Sequence, residues 1–231
     1  LLSPLIANDS LMDEQCYQIA GNAYKGLKQY DLCDSLYLRA LKKFPQDGAI
    51  HNEIGELLYA QKNNMCIDYW EKGIKVDPNY ATNYYNATKF YFQKNNIPWC
   101  LIYGEIFVNL DSYSLKTTEI KELLFKAQQS FFQNLNYEAN NSQFSVFEQK
   151  YINCFYNQKI DASLSINASE LTKLRTKFVL NWFNDEVYIV PVQLFELHRQ
   201  LLREGLFDAY NQWLFGATES LVHFQRWTQL H

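Results

Sequence analysis

Gly21-Asn22-Ala23-Tyr24 and Gly55-Glu56-Leu57-Leu58 stand 34 residues apart, and Thr88-Lys89-Phe90-Tyr91 follows 33 residues later. Other columns keep the same step. Cys33, Cys66 and Cys100 recur at spacings of 33 and 34, and so do Ala40, Gly73 and Phe107. Tyr37 and Trp70 form a further column, and Pro45 and Pro78 close two of the units. Self-similarity at such a period marks a stacked supersecondary unit, which cannot bury its apolar face alone.

Each column has a physical reason. A small residue such as Gly21 or Gly55 lets two helices approach closely. Tyr24, Tyr37, Trp70 and Tyr91 are large enough to fill the gaps between successive helix pairs. Pro45 and Pro78 bias Phe44 and Asp77 out of the helical region, which ends the second helix of each unit. The third unit departs from the pattern, with Thr88 for the glycine, Gly104 for the aromatic and Ser112 for the proline. Terminal units of a stack are often atypical in this way. Leu115 to Phe132 then carries Ile120, Leu123, Leu124, Ala127 and Phe131 on one helical face, which reads as a helix capping the array.

Over residues 14–111 these columns resemble the tetratricopeptide repeat (TPR) family. The resemblance implies an all-α fold, a right-handed α-solenoid of about three helical hairpins with a capping helix, followed by a further helical region. It also implies that the first helix of each hairpin lines a concave groove that receives an extended peptide or a partner helix. The groove columns hold Gln15, Gln18, Asn22 and Lys25, then Asn52, Glu56 and Tyr59, then Thr82, Tyr85, Lys89 and Phe92. Asn22, Lys25, Asn52, Tyr59, Tyr85 and Lys89 are the expected peptide-binding residues. Amides, phenols and ammonium groups can hydrogen-bond a peptide backbone and hold a carboxylate. The best-known clamp of the family grips the C-terminal carboxylate of heat-shock proteins with two Lys, two Asn and an Arg. Its places here hold Gln18, Asn22, Glu53, Thr82 and Asn86, so one Asn is kept and a Glu would repel the ligand. That ligand is not expected.

Residues in the same place on successive hairpins lie roughly 10 Å apart, the ordinary helix packing distance. A disulfide needs Cα atoms within about 7 Å. Cys33, Cys66 and Cys100 are therefore expected to be free, buried packing residues, whereas Cys16 and Cys154 stay open.

Beyond the repeat the chain turns polar and Asn-rich, from Asn134 to Ser145. We divide it into an N-terminal lead (1–13), the array with its cap (14–133), a linker or loop (134–146) and a C-terminal helical region (147–231). Asn167 with Glu170 resembles a cap before a helix that carries Leu171, Leu174, Phe178, Val179, Trp182 and Phe183 on one face. Pro191 can begin another helix, with Leu194, Leu197, Leu201 and Leu202, ended near Gly205. Arg203 to Gly216 resembles the tail of a group of uncharacterised bacterial tetratricopeptide proteins. Trp182, Trp213 and Trp227 are expected to form a core there.

Composition excludes several function classes. The 231 residues are 48% hydrophobic and 16% aromatic, ample for a packed core. A net charge of -4 argues against nucleic-acid binding. No apolar run nears the roughly 20 residues that span a bilayer. Leu1 to Ala7 is too short and lacks the basic lead of a signal peptide. Without an initiating Met the chain is expected to be a mature or trimmed product, which weighs an exported, periplasmic location above a cytoplasmic one.

No metal-ligand spacing, phosphate loop or nucleophile elbow occurs, so no cofactor and no catalytic residue is expected. His51 shares a column with Tyr17 and Tyr84 and reads as a packing residue. Asn8, Asn86, Asn140 and Asn167 begin Asn-x-Ser/Thr triplets, which an Asn-rich chain produces by chance. The expectation is a non-catalytic scaffold or adaptor that binds a protein or peptide. The alternative is a small-molecule or catalytic pocket where the C-terminal helices meet the array, with His198, Glu204, Asp208 and His223 as an acid-base group.

Overall fold

A computed structural model describes residues 12–139, 142–158, 166–184 and 192–230. The described chain is all-helical. It falls into two compact units, Leu1–Phe90 and Tyr91–His231, and the division runs between two neighbours in one helix.

The first unit contains α1 (Glu14–Gly26), α2 (Tyr30–Lys43), α3 (Gly48–Ala60), α4 (Cys66–Val76) and most of α5 (Ala81–Gln93). α1 packs on α2, α2 on α3, α3 on α4, and α1 also on α3. Asp13 and Asp47 start α1 and α3 by accepting the main-chain N–H groups of Cys16 and Ile50. These acceptors satisfy donors that a helix start otherwise leaves unpaired.

The close approaches expected at two glycines are present. A Cβ on Gly21 would stand 2.1 Å from Tyr37 Oη, and one on Gly55 would stand 2.3 Å from Trp70 Nε1. Each aromatic of the second helix therefore fills the space that a side chain at the glycine of the first would need. Around these contacts Tyr17, Cys33, Leu36, Tyr37, Ala40, Ile50, Ile54 and Leu57 form a buried core. His51 is fully buried, with Nε2 3.1 Å from the Pro45 carbonyl, as a packing residue should be. On α5, Asn83 donates to the Gly48 carbonyl over 2.9 Å.

The local geometry repeats with the sequence. Lys28, Lys62 and Asn95 each take positive φ (58°, 59° and 55°) in the turn that joins two helices. Phe44, Asp77 and Asp111 end the following helices with nearly the same backbone, and their N–H groups bond to Ala40, Gly73 and Phe107. Where proline is missing in the third unit, Ser112 turns its hydroxyl back to the Val108 carbonyl. Lone hydroxyls of this kind compete with the helix ladder and help to end it.

The second unit contains α6 (Ile97–Leu110), α7 (Leu115–Gln133), α8 (Leu135–Ala139), α9 (Val146–Tyr156), α10 (Ala168–Asn184), α11 (Gln193–Arg203) and α12 (Phe207–Asn211). A π-helical turn (Gln212–Gly216), α13 (Ala217–Glu219) and α14 (Leu221–Leu230) follow. α7 packs on α6, and Ile120, Leu124, Ala127 and Phe131 of the face read from the sequence are buried, with Leu123 half-buried. Ser145 and Glu148 cap α9 reciprocally, and Asn167 caps α10 by accepting from the N–H of Glu170 over 2.8 Å. Phe131, Tyr151, Phe155, Phe178, Trp182 and Phe195 meet ring to ring in the core.

Two expectations need comment. Pro191 lies outside the described residues, and α11 itself runs Gln193–Arg203. The three tryptophans do not share one core. Trp182 stacks with Phe178, Trp213 lies against Tyr210, and Trp227 stacks with Phe224. They lie on α10, the π-turn and α14 with separate ring partners, so aromatic density in sequence did not mean adjacency.

Candidate functional site

The strip expected to bind peptide lies in the first unit. Its centre is a chain of polar contacts across α1, α3 and α5. Lys25 donates to Glu53 over 2.6 Å and to Glu56 over 3.1 Å. Tyr37 also donates to Glu53, over 2.8 Å. Asn52 donates to Glu56 over 3.3 Å, and Asn86 donates to the Asn52 side-chain oxygen over 2.8 Å. The contacts that join different first helices, Lys25 to Glu53 and Glu56 and Asn86 to Asn52, link groups 28 to 34 residues apart in sequence.

Of the six residues expected to bind, Lys25 and Asn52 join this chain directly. Tyr85 and Lys89 form a pair of their own one turn apart, the ammonium 3.0 Å from the phenol oxygen and 4.9 Å from the ring centre. Asn22 is exposed on α1. Tyr59 is 44% exposed but lies against Trp70 with the rings tilted, so part of its surface already serves packing.

Two of the six are engaged within the chain itself. Asn52 is only 2% exposed and donates to Glu56. Lys25 is saturated by two carboxylates. Burial works against its ammonium, but Glu53 and Glu56 more than offset this and raise its pKa. The open group of the strip is Glu56, whose side chain is 40% exposed.

A second polar cluster is buried in the other unit, and the sequence reading missed most of it. Arg175 of α10, His198 of α11 and Tyr210 of α12 all reach the same oxygen, Oε1, of Glu105 on α6. His198 Nε2 lies 2.6 Å away and Tyr210 Oη 2.9 Å away. Arg175 also donates to Asn211 over 2.5 Å and lies over the rings of Phe207 and Phe215. The Nε2 proton of a neutral His198 is best placed to serve the carboxylate, which leaves the guanidinium at 3.2 Å as a neighbour rather than a partner.

The electrostatics follow from burial. Burial pushes the Glu105 carboxyl up, but Arg175 and His198 more than offset it and hold it well below the usual carboxylate range. Burial also lowers the His198 pKa, assisted by Arg175 and opposed by Glu105. Burial and the Glu105 charge raise the Tyr210 phenol. The cluster is an ionised Glu-Arg pair with neutral His and Tyr donors.

Glu204, Asp208 and His223 are exposed and make no contact with His198. The acid-base group expected from them is not assembled. The space beside His198 is a cavity of about 10 Å³. Ligand pockets for small molecules run to roughly 300–1,000 Å³, so this one admits no organic substrate.

All five cysteines are free, which agrees with the expectation for Cys33, Cys66 and Cys100 and settles Cys16 and Cys154. Among the described residues, no cluster of three or more His, Cys, Asp or Glu is placed to hold a metal. Among them, too, no helix is long and apolar enough to cross a membrane. Comparison of the sequence with protein-family models and with curated proteins finds no match to either.

Proposed function

We propose that the chain is a non-catalytic adaptor of tetratricopeptide type, whose first unit binds an extended peptide along α1, α3 and α5. In this reading α1 to α6 are three hairpins of one right-handed array, and α7 is its cap. The repeated positive-φ turns at Lys28, Lys62 and Asn95 support it, as do the matching caps at Phe44, Asp77 and Asp111.

The observation that carries the proposal is the polar chain Lys25–Glu56–Asn52–Asn86. It sets an ordered row of hydrogen-bonding groups along one face of three neighbouring helices. Its chemistry also selects the ligand. Two carboxylates face one ammonium there, so the centre of the strip keeps one negative charge. The ligand suited to it is a peptide with a lysine or arginine opposite Glu56, flanked by Tyr59 and Tyr85.

Selection from a random peptide library on the purified chain tests this. Enrichment of basic peptides, weakened by Glu56→Gln, is the expected result. A charge-assisted hydrogen bond contributes about 1.5–3 kcal/mol, so the loss should be roughly tenfold to a hundredfold. Enrichment of acidic peptides, or of none, would contradict the proposal.

A further inference from the structure

The cavity beside the buried charge cluster contains a group that the cluster does not use. Gln128 of α7 is 2% exposed, and its Oε1 has no hydrogen-bond partner. Gln128 lines the same cavity as Glu105, Tyr151, Arg175, Phe195 and His198. Nearly all buried polar atoms in folded proteins find a partner, so an orphaned one at a cavity points to a bound donor.

We propose that this cavity binds a single water molecule that donates to Gln128 Oε1. Size sets the first limit. A cavity of about 10 Å³ matches the roughly 10–15 Å³ that one water requires and excludes any larger ligand. Charge sets the second. Glu105 repels an anion, and Arg175, which already balances Glu105, repels a cation. The occupant is therefore neutral and about one heavy atom in size. It must donate at least once, to Gln128.

Water also finds the further partners it needs, usually two to four. Three donors converge on Glu105 Oε1. The second carboxylate oxygen remains open to the other water proton. The Tyr151 hydroxyl, on the same wall, can donate to the water oxygen. So placed, the water extends the polar hub of α6, α10, α11 and α12 to α7.

The test uses the full chain and its Gln128→Met variant. A crystal structure that resolves ordered solvent should show one water within hydrogen-bond distance of Gln128 Oε1 and of Glu105 or Tyr151. The variant should lack it. In solution, oxygen-17 relaxation dispersion should count one long-lived water fewer in the variant. A dry cavity in the unaltered chain, or a Gln128 amide bonded to a protein group, would overturn the proposal. So would a water that persists in Gln128→Met with an unchanged long-lived count. If Gln128→Met does not fold, the density of the unaltered chain decides alone.

Discussion

Asn86 donates to the side-chain oxygen of Asn52 over 2.8 Å, joining two residues that stand 34 apart in sequence. The contact reproduces in space the step at which the sequence repeats itself. Together with the bond from Asn83 to the Gly48 carbonyl, it brings α5 up to α3. Through Asn52 the contact also fixes Glu56, the most open carboxylate of the strip.

The ion pair at the start of the strip sets the first prediction. Lys25→Met leaves Glu53 largely buried, with Tyr37 its remaining donor. The expected cost is about 1–3 kcal/mol, below that of a fully buried pair because Lys25 and Glu56 keep some solvent. Urea denaturation should show this loss, and Lys25→Met with Glu53→Gln should recover part of it. An unchanged midpoint for the single variant would contradict the network.

The buried pair of the second unit should be more sensitive. Arg175→Met leaves the Glu105 charge in a nearly water-free core. Breaking such a pair costs about 3–5 kcal/mol. Adding Glu105→Leu removes the stranded charge, so the double variant should be more stable than Arg175→Met alone. Denaturant midpoints of the single and double variants check the order.

How much of this was legible in the sequence depends on whether a residue belongs to a period. Gly21, Gly55, Tyr37, Trp70 and the cysteine column recur because each hairpin must solve the same packing problem. Their contacts could therefore be read in advance. Glu105 and Arg175 meet once, across 70 residues, and a single non-local pair leaves no periodic trace. One signal was available: Glu105 is the lone charged residue in α6, whose sequence IPWCLIYGEIFVNL is otherwise mostly apolar. A charge in such a helix needs a buried partner. The internal partners of Lys25 and Asn52 were not legible for a related reason. Groove columns say which way a side chain faces, but not that Glu53 and Glu56 would occupy the ammonium first.

Acid should loosen the second unit through His198. Its pKa in the folded chain is lowered from 6.5, so the unfolded chain binds more protons near that pH. Stability therefore rises with pH there. The contribution is complete above pH 6.5 and is lost as pH falls below it. Glu105, lowered from 4.5, adds a further loss below that value. His51 in the first unit shifts in the same direction, so the comparison must be made between variants. The melting temperature should fall between pH 7 and pH 5 less steeply in His198→Gln than in the unaltered chain. Equal slopes would contradict the role given to His198.

Thiol chemistry follows from the packing of the columns. Cys33, Cys66, Cys100 and Cys154 are buried, and Cys16 is half-buried. Burial also pushes the Cys33 thiol up to about 11 and the Cys100 thiol higher still, which removes reactive thiolate. In the native chain a disulfide reagent should modify Cys16 first, with the other four released only on unfolding. Rapid native reaction of Cys33 or Cys100 would contradict the packing.

The central claim concerns where a peptide sits, and chemical-shift mapping tests it most directly. A basic peptide selected on the chain would be titrated into isotope-labelled protein. Shifts concentrated at Lys25, Glu56, Tyr59, Tyr85 and Lys89, and reduced by Glu56→Gln, are the predicted result. Shifts confined to α2 and α4, or unaffected by Glu56→Gln, would contradict it.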